Sequence, residues 1–398
     1  MMAICSTFKE RIKGVLLEMN TIYLDHAATT PMAKEVIGRM TEAMEHLFGN
    51  ASSIHAAGRE ARKYLDEARF MLAQSINAKT SEIILTSGGT EADNMAVFGT
   101  AYARRQEGNH IITTQVEHHA VLHACEKLEK EGFDVTYLPV DETGRVRVDD
   151  VASALRDDTI LVTIMYGNNE VGTIQPIAEI GALLKDHQAA FHTDAVQAYG
   201  IEQIDVQTLE VDLLSVSAHK INGPKGIGFL FARQGVKLMN LLYGGSQEKK
   251  RRAGTENIPA VLGFAAAVQK AADEREANRS KYIGFKQLLI KQFDEAGISY
   301  KVNGTLDQAL PHVLNVSFPG TNVESFLVNL DMVGVLVSSG SACTAGSIDP
   351  SHVLVAMFGE GAEEIRSSIR FSFGMGLSEA EVAEAGKRTA AIVKRLVK

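Results

Sequence analysis

The chain has 398 residues, 45% hydrophobic and 22% charged, which is length enough for two domains around a large core and too little charge bias for disorder. Its formal net charge of -9 argues against a nucleic-acid or anionic-membrane surface as the main partner, because phosphate contacts need a basic face. No apolar run approaches the roughly 20 residues that span a bilayer, and the three cysteines, Cys5, Cys125 and Cys343, form neither a paired framework nor a metal-ligand spacing, which points to a reduced, cytoplasmic compartment.

Residues 1–18 carry Lys9, Arg11 and Lys13 before the short Val15-Leu16-Leu17. That apolar part is too short for a signal peptide and no small-residue cleavage site follows, so a disordered extension or an upstream start codon is expected. A first strand is expected over Thr21–Asp25, inside a segment, 19–30, that packs with a smaller domain. From about residue 60 to 275, β-rich apolar runs alternate with helical patterns, the signature of a mostly parallel sheet covered by helices. The expected strands are Glu82–Thr86, His110–Thr113, Val135–Leu138, Ile160–Met165, Ala190–Asp194, Leu213–Ser217 and Ile227–Phe231. After Pro259 a helical stretch runs to about Ala296 and the pattern then changes. A large domain over 31–275 and a smaller α+β domain over 276–398 follow, the latter with strands Ile298–Val302, Val313–Phe318, Val335–Ser338 and Ser368–Phe373. Its helices are expected over Val323–Asp331, Glu360–Glu364 and Ser378–Leu396.

Ligands on such sheets collect at the carboxyl ends of the strands. There Ser87-Gly88-Gly89-Thr90 joins a strand to a helix, so its backbone N–H groups suit a phosphate, although such turns are commonly no more than tight turns. No Gly-Lys-Ser/Thr follows, which excludes a nucleotide P-loop. Lys220 closes an apolar strand and precedes the turn Asn222-Gly223-Pro224, where an amine can condense with a cofactor aldehyde. Asp194, also at a strand end, can keep a pyridine nitrogen protonated, so the two together point to pyridoxal phosphate. Ser217 and His219 complete a set able to bind a phosphate and a phenolic oxygen.

Other residues stay double-valued at this level. His118 either caps a helix, the reading its neighbours favour, or stacks on an aromatic cofactor. Asn169 is a turn asparagine or a donor to a carboxylate, and Arg370, set among apolar strand residues, is a structural ion pair or a carboxylate fork. Lys249-Lys250-Arg251-Arg252 reads as a solvated basic loop or, with Thr255, as a phosphate contact. Cys343 lies in a run of small residues within 338–350, an exposed loop suited to a reactive thiol, whereas Cys125 sits in a helical pattern and reads as structural.

From Tyr23-Leu24-Asp25-His26-Ala27-Ala28-Thr29-Thr30-Pro31 to Arg370-Phe371-Ser372-Phe373-Gly374 the chain resembles the cysteine desulfurases, fold-type I pyridoxal phosphate enzymes of the class V aminotransferase group. The resemblance implies an α/β fold with a seven-stranded, mostly parallel sheet and a smaller C-terminal domain. It makes Lys220 the lysine that binds the cofactor covalently, Asp194 the pyridine-nitrogen partner and His118 the stacking acid/base. Gly89, Thr90, Ser217 and His219 become phosphate ligands, and Gln197 the contact to the phenolic oxygen. Thr255 would reach the cofactor phosphate of a second subunit, so a homodimer is expected. Asn169 and Arg370 would hold the carboxylate of L-cysteine, and Cys343 would take its sulfur as a persulfide.

The Ser-Ser-Gly-Ser-Ala-Cys loop resembles the longer-loop subgroup that hands sulfur directly to proteins. An iron–sulfur scaffold, a tRNA-thiolating enzyme and a thiamine-pathway carrier are all open as acceptors, since the chain stops at Leu396-Val397-Lys398 without the tail some members use to dock a scaffold. The rivals are a selenocysteine lyase, another class V aminotransferase, or a cofactor-binding protein kept as a regulator or scaffold without turnover.

Overall fold

The computed structural model describes residues 21–340, 343–344, 347–348 and 350–397. The expected extension 1–18, with Cys5, lies outside the described residues, as does the Cys343 side chain. In chain order the described strands are β1 (Ile22–Tyr23), β2 (Ile83–Thr86), β3 (His110–Thr114), β4 (Asp134–Leu138), β5 (Thr159–Thr163), β6 (Ala190–Asp194) and β7 (Leu213–Ser217). They continue with β8 (Gly228–Ala232), β9 (Lys301–Asn303), β10 (Val313–Ser317), β11 (Val335–Leu336), β12 (Cys343–Thr344), β13 (Ser347–Ile348) and β14 (Ser368–Ser372).

Seven of these form one sheet in the order β2-β8-β7-β6-β5-β3-β4. Only β8 runs against its neighbours, so β2, β3, β5, β6 and β7 all end on the same edge. Apolar runs such as Thr159–Thr163 are buried throughout because helices cover both faces of the sheet. On one face Phe229 and Phe231 meet Phe264 and the small residues of the helix Ala56–Gln74. On the other, Val97 and Ala101 pack with Ile111, Val121 and Cys125.

A second apolar cluster lies beyond the sheet, around Phe285, Phe293, Phe318, Phe326 and Phe371. The helix Ile258–Ala296 belongs to both clusters: Val261 and Phe264 serve the first, Phe285, Leu289 and Phe293 the second. Asn257 caps it by accepting from the Ala260 N–H at 3.2 Å, Pro259 occupies its first turn, and Gly297 closes it at φ 63°. The change of pattern near Ala296 therefore marks the end of a shared helix rather than a linker. The N-terminal segment joins the second cluster through Ile22 and Leu24, with β1 parallel to β11.

Most expected boundaries shift by one or two residues, as Thr21–Asp25 does to Ile22–Tyr23 and Ile160–Met165 to Thr159–Thr163, and three shifts have a visible cause. The strand expected over Ile298–Val302 starts at Lys301, because the left-handed turn at Gly297 returns the Ile298 N–H to the Phe293 carbonyl and delays the extended chain. The strand expected over Val335–Ser338 stops at Leu336 and pairs with β1, while Ser338 bridges singly to Arg370. The helix expected over Glu360–Glu364 begins at Glu363, since Gly359 and Gly361 sit at φ 83° and 88°, outside helical space.

Phe293 is fully buried, with its ring centroid 5.3 Å from Phe318, 5.5 Å from Tyr300 and 6.1 Å from Phe371. Phe293→Ala is expected to cost about 3–5 kcal/mol of stability. Denaturant unfolding reads this directly, and an unchanged midpoint would contradict the packing.

Candidate active site

The carboxyl ends of β2, β3, β5, β6 and β7 surround a cavity of about 410 Å³. Ten of the residues expected at a site line it: Gly89, Thr90, His118, Asn169, Asp194, Gln197, Ser217, His219, Lys220 and Arg370.

Asp194, the last residue of β6, is buried, and its Oδ1 accepts a 2.8 Å hydrogen bond from the Val196 N–H. Burial pushes its carboxyl up to about 6 against the pull of that hydrogen bond and of Lys220. One carboxylate oxygen each from Asp93 and Asp194 and one His118 ring nitrogen lie within 4.8 Å of one another. Burial, and then the charge of Asp194, raises the Asp93 carboxyl well above its usual range; its Oδ1 makes no hydrogen bond among the described residues, with His192 Nε2 3.7 Å away. His118 does cap the helix His119–Lys130, its Nδ1 accepting from the Ala120 N–H at 3.1 Å, yet the same ring faces the cavity. The two readings of this histidine are thus compatible. The cap leaves the proton on Nε2, and burial followed by the positive charge of Lys220 lowers the ring to about 4, so it is neutral near pH 7.

Lys220 ends the short helical turn after β7. Its Nζ donates to the Ala27 carbonyl at 2.5 Å and to the Ala28 carbonyl at 2.8 Å, with no hydrogen-bonded carboxylate. Burial, then the positive charge of Arg370, depresses this amine to about 8. Arg370 is likewise buried: Nη1 donates to the Asn169 carbonyl at 2.9 Å and Nη2 to Asp25 Oδ1 at 2.8 Å. The ion-pair reading of Arg370 is therefore present in the fold, and Nε, buried and without a hydrogen-bond partner among the described residues, remains on the same guanidinium.

The phosphate-type end lies at the helix Gly89–Arg104. Gly88 stands at φ 149° before it, and a Cβ at Gly89 would come 2.8 Å from Val196 Cγ2, so the turn requires glycine to bring its backbone to the cavity. Ser217 sits beside Gly88, and His219 Nδ1 meets Thr29 Oγ1 at 3.1 Å. Burial and the neighbouring Lys220 hold His219 at about 4. Gln197 donates from Nε2 to the Ala27 carbonyl and meets His312 through Oε1.

Two expected residues stand apart from this set. Thr255 is exposed and lines no part of the cavity within its own chain. Arg252 makes two hydrogen bonds to Glu91 at 2.7 and 3.0 Å and is thereby engaged in holding the Thr255 loop to the helix start. Cys343 is placed by backbone alone, in β12 paired with Ile348 of β13. Cys125 is buried among Val97, Ile111 and Val121, with its thiol pushed far up by burial.

Sequence reasoning did not select Asp93, Glu117 or Glu170, all buried acids. Asp93 had a signal, since it falls four residues after Gly89 on the same helix and so returns to the cavity face. Glu117 adjoins His118 but points inward, accepting from Thr114 Oγ1 and the Met165 N–H. Nothing in its local sequence distinguishes it from a surface acid.

The group that suits these donors is pyridoxal phosphate. Among the described residues a buried carboxylate with one hydrogen bond, a half-buried amine without a hydrogen-bonded carboxylate, and a glycine turn at a helix start match its pyridine nitrogen, aldehyde and phosphate. Fold and site together define a fold-type I pyridoxal phosphate enzyme. The family model for class-V aminotransferases matches residues 22–384, and the chain belongs to that family. Within it the chain is 60% identical to a putative cysteine desulfurase IscS 1 of Bacillus subtilis (strain 168), over 95% of this chain and 100% of that one. It is 48% identical to a cysteine desulfurase IscS of Dictyoglomus turgidum, covering 89% and 90%. Among solved structures a NifS-like protein superposes with a TM-score of 0.88 at 34% identity, covering 94% of this chain and 100% of that chain. One titled "SspA in complex with cysteine" superposes with a TM-score of 0.79 at 37% identity, covering 89% and 99%. These relationships make the protein a pyridoxal-phosphate-dependent cysteine desulfurase.

With the cofactor removed, Lys220 is expected to react with amine-directed reagents at lower pH than the exposed surface lysines. Its neutral fraction passes one half at about 8 instead of the ordinary 10.5. Arg370→Ala removes a positive neighbour, so labelling of Lys220 at pH 8 falls. Mass spectrometry of labelled peptides checks both, and an indifferent Lys220 would contradict the electrostatics drawn from Arg370.

Proposed function

We propose that this cavity removes sulfur from L-cysteine, releases L-alanine and leaves a persulfide on Cys343. The carrying observation is that Lys220, Asp194 and Arg370 share a cavity whose rim includes Ser338 and Gly340, the residues leading to Cys343. Pyridoxal phosphate, when bound, supplies an electron sink that acidifies the substrate's α-proton and weakens its C–S bond.

Lys220 is the residue to bind the cofactor covalently, and Asp194 holds a proton on the pyridine nitrogen. The N–H groups of Gly89 and Thr90, with Ser217 and His219, hold the phosphate, and Gln197 takes the phenolic oxygen. Arg370, aided by Asn169, positions the substrate carboxylate, for which a guanidinium fork is the fitting partner. The depressed Lys220 amine accepts the α-proton near neutral pH, and the neutral His118 ring moves protons above it.

The Cys343 thiolate attacks the substrate sulfur. An S–S bond forms, the C–S bond breaks, and its electron pair leaves with the carbon, which takes up a proton on the way to alanine. Cysteine less one sulfur atom is alanine, so no external oxidant or reductant enters until the persulfide is discharged. The acceptors we assign are proteins, an iron–sulfur scaffold or a tRNA-thiolating enzyme, in the cytoplasm.

Thr255 completes the site of a second copy in a homodimer. It is exposed in its own chain, and Phe48, Ile54 and Tyr243 are 87%, 90% and 78% exposed on segments near the same loop, apolar area that a second subunit would cover. The working division is a cofactor-binding part over 31–275 and a smaller part over 276–398 that carries the cysteine.

The test is alanine release from L-cysteine with a thiol reductant present. Cys343→Ala is expected to retain the cofactor absorption and lose alanine release by about 10²-fold or more, whereas Lys220→Ala loses the covalent cofactor band itself. A Cys343→Ala enzyme with wild-type turnover would remove the persulfide from the scheme. Thr255→Ala is expected to weaken cofactor retention while leaving the dimer mass unchanged in light scattering.

A further inference from the structure

The buried acid Glu170 has no part in the scheme above, yet both ends of the Cys343 segment converge on it. Its residue is 2% exposed, and its Oε2 accepts a 2.5 Å hydrogen bond from Ser351 Oγ. Ser351 is the cap of the helix His352–Phe358, its Oγ also accepting from the Leu354 N–H at 3.1 Å, so the helix that follows the segment starts on this carboxylate. Before the segment, Gly340 stands at φ 92°, and a Cβ placed there would lie 2.8 Å from the same Oε2. Glycine is required here twice over, for the backbone conformation and for the closeness of the acid. The Gly340 N–H bonds Ser338 Oγ, and Ser338 bridges to Arg370.

Glu170 is itself fixed from the sheet side. Its N–H donates to Asn168 Oδ1 at 2.8 Å, its carbonyl accepts from Asn315 Nδ2 at 3.2 Å, and the preceding carbonyl, of Asn169, receives Arg370. The acid therefore ties the two ends of the segment to the loop that meets the carboxylate-binding arginine.

We propose that Glu170 is a positioning residue for sulfur transfer, its carboxyl setting where the Cys343 segment leaves and rejoins the fold relative to Arg370. This rests on the reading of Cys343 as the sulfur acceptor. Placement matters because a thiol must reach the substrate sulfur within near-attack distance, and a misplacement of about 1 Å costs on the order of 10²-fold in rate. The role predicts a split between two half-events of one active site. Exchange of the substrate α-proton with solvent deuterium uses the cofactor and Lys220 but not Cys343, whereas persulfide formation needs both.

The experiment compares these two rates in the holoenzyme for wild type, Glu170→Ala, Glu170→Gln, Ser351→Ala and Cys343→Ser. Proton exchange is followed by mass spectrometry of the recovered amino acid, and persulfide by mass spectrometry of trapped protein after a single turnover. Glu170→Ala is expected to slow persulfide formation by at least about tenfold while α-proton exchange stays within about twofold. Glu170→Gln, which keeps an acceptor for Ser351 Oγ, restores transfer to within a few-fold. Ser351→Ala reproduces the Glu170→Ala split with a smaller loss and carries the test if Glu170→Ala fails to fold. Equal losses in both rates, or no loss in either for Glu170→Ala and Ser351→Ala, would overturn the proposal. Persulfide and alanine formed at the wild-type rate by Cys343→Ser would instead sink the underlying assignment of Cys343.

Discussion

Arg370 is a buried guanidinium that three separate parts of the chain have to reach. Asp25 comes from the N-terminal segment, the Asn169 carbonyl from the loop after β5, and Arg370 itself from β14 near the C-terminus. A buried charge left unpaired is strongly unfavourable, so each of these segments is held to the others by the need to satisfy it. The pairing of β1 with β11, the bridge from Asp25 to Ser372 and the bridge from Ser338 to Arg370 all follow the same seam. The charge proposed to hold the substrate carboxylate is thus also the point at which the beginning, middle and end of the chain meet.

The cavity beside that seam is electrostatically open. Among the described residues Lys220 is hydrogen-bonded only to carbonyl oxygens, the Asp194 carboxylate to a single backbone N–H, and Asp93 Oδ1 to nothing. Burial makes the charged form of each costly, which is why the amine is held down and the carboxyls up. A protein that needed only stability would have replaced these groups with apolar ones. Their persistence fits a ligand that brings its own charges and hydrogen-bonding atoms to the same positions.

A second rigid feature lies toward the expected subunit contact. Glu248, Lys249 and Lys250 occupy left-handed backbone in succession, at φ 47°, 56° and 65°, which is strained for side chains of this kind. Two 2.6 Å hydrogen bonds from Arg69 to the Glu248 carboxylate, and a third from the Leu85 N–H, hold the loop there. The Arg252–Glu91 pair then ties the adjoining stretch to the helix that begins at Gly89. The run of basic residues that reads from sequence as a solvated loop is in fact partly spent on structure, with Arg251 donating to the Ser81 carbonyl as well.

The strands at Ala190–Asp194 and Leu213–Ser217 matched their sequence expectation residue for residue, because a strand buried on both faces is a continuous apolar run ended by a polar residue. The positions of Asp194 and Lys220 were legible for the same reason: Asp194 terminates such a run, Lys220 ends the short turn that follows one, and the parallel sheet places those ends together. The boundaries after Gly297 and Gly359 were not, since backbone turns there displaced the next element without altering the hydrophobic pattern. His118 had two local explanations that the sequence could only weigh against each other, and the fold shows the cap while leaving the ring at the cavity. Glu117 and Glu170 were invisible because a lone acid in a chain reads as solvated, and only packing shows it to be buried, whereas Asp93 carried a signal in its helical spacing from Gly89. The sequence by itself determined the alternation of elements, the glycine turn and the chemistry at the strand ends, all of which depend on neighbours along the chain. Tertiary structure alone decided the pairing of Arg370 with Asp25 and the convergence of Gly340 and Ser351 on Glu170. Those contacts join residues from about 170 to 345 positions apart, and no local pattern specifies which distant partner a buried charge will find.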